Sequence, residues 1–174
     1  MTFTALGTVR RSGRLVFLAE TRQLEQLPRL ISLPCPRFLL LLAYDEDRTA
    51  IRLSSTLAEL VTGGCVYLCA WGRGCEHVHD TMDDVVLAQT LSGRRALNIV
   101  TTWHAGEPLE ETLAFALDRA EPDEAHSAGC DAIVLAAVNS PGWATVFRSA
   151  AGRHLHEKHG VEAIAAGEGR GAER

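Results

Sequence analysis

Cysteine and histidine side chains are concentrated in one stretch of the sequence, residues 72–80. Cys75 follows the tripeptide Gly72-Arg73-Gly74, His79 comes four residues later, and His104 follows a separate apolar segment. A thiol and an imidazole four residues apart lie on the same side of a helix, where they can act as nucleophile and base. We therefore take Cys75, His79 and His104 as the candidate catalytic residues.

Zinc binding is an alternative use of the same three side chains, since thiolate and imidazole are its preferred ligands. However, the spacing of Cys75 and His79 is not accompanied by a second metal-binding pair, and no metal site is predicted. A hydrolase that depends on zinc or on a cysteine–histidine pair is one alternative function.

The tripeptide Gly72-Arg73-Gly74 also predicts anion binding. Backbone N–H groups beside a guanidinium, at the start of a helix, can hold a phosphate or carboxylate. The third glycine of a dinucleotide motif and the lysine of a phosphate-binding loop are both missing, so no cofactor is predicted. The alternative is a plain tight turn, for which glycine is the usual residue.

Other polar and aromatic residues follow the predicted strands. They are Asp45, Trp71, Trp103, Asn139 and Ser140. In an open α/β sheet, ligands bind beyond the carboxyl ends of the strands. Together with the tripeptide, these residues predict a site for a small polar or anionic molecule.

A structural interpretation of the cysteine and histidine stays open. Positions 75, 78, 79 and 82 have the spacing of a buried helical stripe, and cysteine is among the residue types most often buried. The corresponding alternative function is a partner-binding or oligomerisation module without catalysis, such as a homo-oligomer.

Apolar runs alternate with segments of helical period, which predicts successive βα units. The predicted strands are 38–44, 65–71, 97–103 and 131–138, with a last short strand at 161–164. The predicted helices are 53–62, 75–82, one that starts at Pro108, and 143–159; residues 83–89 either prolong the second helix or form an edge strand. We expect a single three-layer α/β domain with a mainly parallel sheet, Rossmann-like or flavodoxin-like.

The chain is divided by composition into three parts. Residues 1–36 are predicted to be an N-terminal extension, with a β-hairpin at 8–19 around Ser12-Gly13 and a proline-rich lead-in. Residues 37–166 form the α/β domain. Residues 167–174, rich in glycine and charge, are expected to be a mobile tail.

Composition narrows the classes of function. The 174 residues carry a formal net charge of −5, with scattered arginines, which argues against nucleic-acid binding. The longest apolar run is too short to cross a membrane, and no secretory signal precedes it, so a cytoplasmic location is expected. Five cysteines form an odd set, typical of free thiols; Cys65 and Cys69 are expected to share one face of a strand with Tyr67.

Three segments resemble a family of small bacterial proteins of uncharacterised function. They are Trp-Gly-Arg-Gly-Cys-Glu-His-Val-His-Asp, Thr-Thr-Trp-His and Cys-Asp-Ala-Ile-Val-Leu-Ala. The resemblance extends from about Phe38 to Arg148. It implies a bacterial α/β domain and assigns no catalytic residue.

Overall fold

The computed structural model of the chain describes residues 1–45, 50–92 and 98–156. Within these ranges the strands are β1 (Thr2–Val9), β2 (Leu15–Thr21), β3 (Arg37–Ala43), β4 (Cys65–Trp71), β5 (Val100–His104), β6 (Cys130–Val138) and β7 (Leu155–His156). The helices are α1 (Leu27–Leu30), α2 (Ala50–Thr62), α3 (Cys75–Leu91), α4 (Leu109–Asp118), α5 (Glu124–Ser127) and α6 (Pro141–Ala151). The strand predicted at 161–164 and the tail predicted at 167–174 lie outside the described residues.

The strands of the described residues form one sheet in the order β5-β4-β3-β6-β2-β1-β7. The neighbours from β5 to β2 are all parallel, whereas β1 runs antiparallel to both β2 and β7. The prediction of a mainly parallel α/β sheet is confirmed. From β3 the chain moves outward through β4 to β5 and then crosses back to β6, as in one half of a Rossmann fold.

Helices cover both faces of the sheet and make three layers. Leu41 of β3 belongs to the core that α4 and α6 close, together with Leu113. The next residue, Leu42, belongs to the opposite core, which α1, α2 and α3 close, together with Met82. This two-sided burial is the reason that β3 is apolar at successive positions. Among the described residues, no helix combines the length and the apolarity needed to cross a membrane.

The predicted N-terminal hairpin is confirmed as β1 and β2. The N–H of Gly13 donates to the carbonyl of Val9 at 2.9 Å and closes the turn. Strand β2 then pairs in parallel with β6, from Leu15 beside Ala132 to its last residue. The first 36 residues, which the sequence suggested as an extension, thus contribute two strands to the same sheet.

Several predicted helix boundaries are wrong. Helix α2 begins at Ala50, three residues before the predicted start, and inside it the Thr56 hydroxyl donates to the Arg52 carbonyl at 2.9 Å. A threonine hydroxyl can bond the carbonyl four residues back as readily as it caps a helix. Helix α3 is continuous to Leu91, so residues 83–89 prolong it. Helix α6 ends at Ala151 because the chain then pairs with β1 as strand β7.

The prediction that Cys65, Tyr67 and Cys69 share one face of β4 is also wrong. Cys65 lies in the core beneath α2 and α3, whereas Tyr67 and Cys69 lie in the core beneath α4 and α6. The pairing with β3 shifts by one residue after Cys65, a β-bulge that reverses the alternation of side chains. Burial raises the pKa of each of the two thiols to about 12.

Candidate functional site

A crevice of about 840 Å³ opens at the carboxyl ends of β3, β4 and β5. Five parts of the chain line it. They are Asp45 after β3, residues 71–75 at the junction of β4 and α3, the first turns of α3 (Glu76, His77 and Asp80), and residues 104–107 before α4, with Trp143 of α6 at the far side. The crevice lies at the edge of the sheet where the sequence predicts a ligand site.

Two glycines shape the junction of β4 and α3. A Cβ on Gly72, whose φ is +114°, would overlap the carbonyl oxygen of Tyr44, so only glycine lets the end of β4 lie this close to the end of β3. The N–H of Tyr44 donates to the Trp71 carbonyl across the same contact, at 3.0 Å. Gly74, with φ +128°, precedes the first residue of α3, and no side chain caps that helix end.

The backbone and guanidinium predicted to bind an anion bind Asp45 instead. The Asp45 Oδ1 accepts from the backbone N–H of Arg73 at 2.6 Å and from its Nε at 3.0 Å, and Oδ2 accepts from the same Nε at 3.0 Å. The hydrogen bond from the Arg73 side chain holds the pKa of the Asp45 carboxyl below its ordinary value. The arginine of the crevice is therefore already paired with a carboxylate of the same chain.

His104 lies at the base of the crevice, buried and held through both ring nitrogens. Its Nδ1 lies 2.8 Å from the Glu107 carboxylate, and its Nε2 lies 3.3 Å from the Thr102 hydroxyl. The ring packs against Phe115 of α4, with centroids 4.8 Å apart. The Trp71 indole N–H donates to the main-chain carbonyl of Glu107 at 2.8 Å. Glu107 thus joins the loop before α4 both to β5 and to β4.

Two tryptophans form an aromatic wall of the crevice. Trp71 and Trp143 meet edge to face, with ring centroids 5.4 Å apart and planes at 87°. Both are partly exposed. Edge-to-face contact is a favoured arrangement of aromatic pairs, and it leaves indole surface for a third group.

Trp103 and His79, which the sequence placed in the site, lie together outside the crevice. Their rings are 4.4 Å apart, and Trp103 is 48% exposed. Trp103 and His104 are consecutive residues of β5, so their side chains project to opposite faces of the sheet. His104 therefore reaches α4, whereas Trp103 reaches His79 on α3.

The predicted nucleophile and base are not joined. The His79 Nδ1 lies 3.0 Å from the Asp80 carboxylate and its Nε2 lies 3.8 Å from that of Asp83. Within the described ranges no hydrogen bond links His79 to Cys75. Cys75 borders the crevice but is only 2% exposed and packs in the core with Val78, as the structural interpretation expects.

Zinc binding by the three candidates is not supported by their positions, since His79 of α3 contacts Trp103, whereas His104 contacts Phe115 of α4 on the opposite face of the sheet. Throughout the part of the chain that the structure describes, no group of three or more histidine, cysteine, aspartate or glutamate side chains is placed to hold a metal ion.

Asn139 and Ser140 line a second, smaller cavity. It measures about 250 Å³ and lies at the carboxyl ends of β2 and β6. The Ser140 hydroxyl accepts from the Trp143 N–H at 3.4 Å and caps α6, while the backbone N–H of Asn139 donates to the Thr21 carbonyl at 2.8 Å. Neither residue lines the larger crevice.

Sequence reasoning left several residues of the crevice and its supports out of the predicted site: Glu76, His77, Asp80, Ala105, Gly106, Glu107 and Trp143, which line it, and Thr102, which supports His104. The spacing of His104 and Glu107 was the available signal, because residues three apart across a tight turn can pair. Trp143 carried no signal, since α6 follows a different strand and reaches the crevice only through the packing of α6 beside α4.

Comparison with known proteins identifies a family whose function is unknown. Residues 14–149 match the family model described as Domain of unknown function (DUF7684). No curated protein matches the chain.

Proposed function

We propose that this chain, which belongs to the DUF7684 family, binds a small polar molecule in the crevice at the carboxyl ends of β3, β4 and β5. The observation that carries the proposal is the crevice itself, because its size of about 840 Å³ is that of small-molecule sites. It also combines an aromatic wall with polar side chains, the usual composition of such sites.

The polar groups are placed to select an orientation of the ligand. Glu76, His77 and Asp80 lie in the first turns of α3 and line the crevice, and no side chain caps the N-terminus of that helix. On the other side, the Glu107 carboxylate is about half exposed although it also pairs with His104. A bound molecule would have hydrogen-bond partners on two sides and indole on a third.

Binding, and not catalysis, is the activity that we propose. The His79 ring pairs with the Asp80 carboxylate, and within the described residues no hydrogen bond joins it to Cys75, so the contact that a cysteine–histidine mechanism needs is missing. His104 is held by Thr102 and Glu107, which makes it a rigid part of the wall.

A screen of small polar compounds by thermal unfolding tests this function. We expect a compound that raises the Tm of the wild type to raise that of Trp103→Leu equally and to lose most of its effect on Trp143→Leu. The two variants are matched, since each removes one partly or largely exposed indole and only Trp143 lines the crevice. A screen without such a compound, or one whose compounds depend on Trp103, would show the proposal to be wrong.

A partner-binding role is the second candidate, and the exposed edge of the sheet favours it. Among the strands that the structure describes, β5 has a neighbour only at β4, and it presents Trp103 to solvent. Leu87 and Leu91 of the adjacent helix α3 are 57% and 78% exposed. Light scattering of the wild type and of Trp103→Arg tests this role: a self-associating wild type and a monomeric variant are expected.

We further propose that the protein works in the cytoplasm of a bacterial cell. Its five cysteines are free, and four of them are buried, which fits a reducing compartment. Fractionation of cells that express the tagged protein tests the location, and its recovery from the periplasm or the medium would contradict it.

A further inference from the structure

We infer that the ligand of the crevice is an organic cation, an amine or quaternary ammonium compound with an apolar part. This inference rests on the proposed function and names the class of ligand for the same crevice. Three features of the site support it: an excess of carboxylates, an arginine already neutralised, and the pair of indoles.

Carboxylates dominate the charge of the crevice. Among the described residues that line it, four carry carboxylates, namely Asp45, Glu76, Asp80 and Glu107, and one carries a guanidinium, Arg73. Carboxylates thus outnumber the guanidinium four to one, and the crevice attracts positive charge.

The single guanidinium does not offset this excess. Arg73 points its Nε at both oxygens of Asp45, which leaves the pair without net charge. An incoming anion would have to compete with Asp45 for the Nε and for the backbone N–H of Arg73. The carboxylates of Glu76, Asp80 and Glu107 also act on the ligand, the last two while they pair with His79 and His104.

Among the described features of the crevice, the N-terminus of α3 also favours an anion. A helix end is equivalent to roughly half a positive charge, which is smaller than the three carboxylates that remain. Glu76 lies in the first turn of that same helix and already complements its dipole. Electrostatics at the crevice therefore favour a cation over an anion.

The indoles of Trp71 and Trp143 add a second attraction for the same class of ligand. Cations are drawn to the face of an indole, and tryptophan is the strongest of the aromatic residues in this respect. Because the two rings meet edge to face at 87°, the pair presents indole surface to an ammonium group that also contacts a carboxylate.

Three probes of the same shape test the inference: benzylammonium, benzyl alcohol and benzoate, titrated by calorimetry at slightly alkaline pH. We expect benzylammonium to bind most tightly, benzyl alcohol more weakly and benzoate most weakly. Affinity for benzylammonium should fall as sodium chloride is added, because salt screens exposed charges.

A matched pair of variants locates the effect. Glu76→Gln should weaken benzylammonium binding by roughly two- to fivefold, the range for an exposed ion pair, and leave benzyl alcohol binding unchanged. Glu111→Gln removes a carboxylate from the first turn of α4, outside the crevice, and should change neither.

The outcomes separate this inference from the proposed function. If benzoate or benzyl alcohol binds most tightly and this binding is lost in Trp143→Leu, the ligand is not a cation, but the crevice remains the binding site. Absence of benzylammonium binding would also contradict a cationic ligand. Whether the crevice binds a ligand at all is decided independently by the compound screen. Equal loss in Glu76→Gln and Glu111→Gln would show that benzylammonium responds to overall charge, which contradicts the inference.

Discussion

The two ends of strand β4 have the same backbone geometry and opposite chemistry. At the amino end, Gly64 packs against the Pro36 carbonyl of the chain entering β3; at the carboxyl end, Gly72 packs against the Tyr44 carbonyl leaving it. Each contact carries one backbone hydrogen bond of 3.0 Å between the two strands. The close pairing of β3 and β4 is thus fixed at both ends by glycine.

The side chains around the two glycines differ. Near Gly64 lie the thiols of Cys65 and Cys130, both buried, and their pKa values are raised by burial. Around Gly72 lie an ion pair and an exposed crevice rim that includes Arg73, whose side chain is 86% exposed. The comparison teaches that buried thiols surround the glycine of the amino edge, whereas charged groups and the proposed ligand site surround that of the carboxyl edge.

Substitution of either glycine should have the largest effect on the free energy of unfolding, and the two effects should be equal. Gly64→Ala and Gly72→Ala each combine a positive φ with overlap on a backbone oxygen, so each should lower the free energy of unfolding by at least about 2 kcal/mol. Urea unfolding measures this. Gly74→Ala is the control, since its Cβ would meet nothing within 4 Å, and only the strained φ remains, about 1 kcal/mol. Equal effects at all three positions would contradict the close contact.

Alkaline pH should destabilise the protein through its buried thiols. Burial raises the Cys65 pKa from 9.0 to about 12, and that of Cys69 is raised likewise. Because the pKa of each thiol is higher in the folded chain than in the unfolded one, the free energy of unfolding keeps its full value below pH 9.0. Above that pH it falls, since the thiols of the unfolded chain ionise while those of the folded chain do not.

Urea unfolding at neutral pH and above 9.0 measures this loss. The double variant Cys65→Ala, Cys69→Ala should be less stable at neutral pH and should lose less stability as the pH rises. An unchanged dependence on pH in the double variant would show that other groups control alkaline unfolding.

Removal of the Glu107 side chain should have a smaller effect on stability. In Glu107→Ala, the Nδ1 of the buried His104 loses its partner at 2.8 Å, at a cost of about 1 kcal/mol. Glu111→Ala, the exposed control on α4, should change stability little. Thermal unfolding compares them, and an equal Tm for the two variants would indicate that the His104 pair contributes nothing.

The smallest effect on stability is expected from breaking the Asp45–Arg73 ion pair. Asp45→Asn should lower stability by less than about 1 kcal/mol, because the pair is largely exposed. Arg73 lowers the Asp45 pKa, so the contribution is present above the ordinary value of 3.8 and is lost as the pH falls through the lowered pKa. Unfolding curves of wild type and variant should therefore converge in acid; a gap that persists would contradict this assignment.

Much of the fold could be predicted from local patterns, and the central strands best. The apolar run of β3 and the residues of β4 identify two-sided burial from sequence alone. The bulge after Cys65 could not be predicted, since it depends on the register with β3. Helix α6 was predicted too long because the pairing of β7 with β1 joins residues far apart in the chain.

The edge of the sheet that carries the crevice was predicted, but the members of the site were predicted only in part. Trp71 and His104 line it because they end strands, and Arg73 lines it because it follows the end of β4. Trp103 does not, since a shift of one residue along β5 moves a side chain to the other face. Trp143 was missed because strand-end reasoning considers the residues after each strand and not the helix that packs over them.

The fluorine NMR spectrum of protein labelled with 5-fluorotryptophan tests the central claim most directly, because the chain has three tryptophans and two of them line the crevice. On addition of the compound that raises the Tm most, the resonances of Trp71 and Trp143 should shift together while that of Trp103 stays in place. A shift of Trp103 alone, or of none of the three at saturating compound, would contradict a ligand site at the carboxyl ends of β3, β4 and β5.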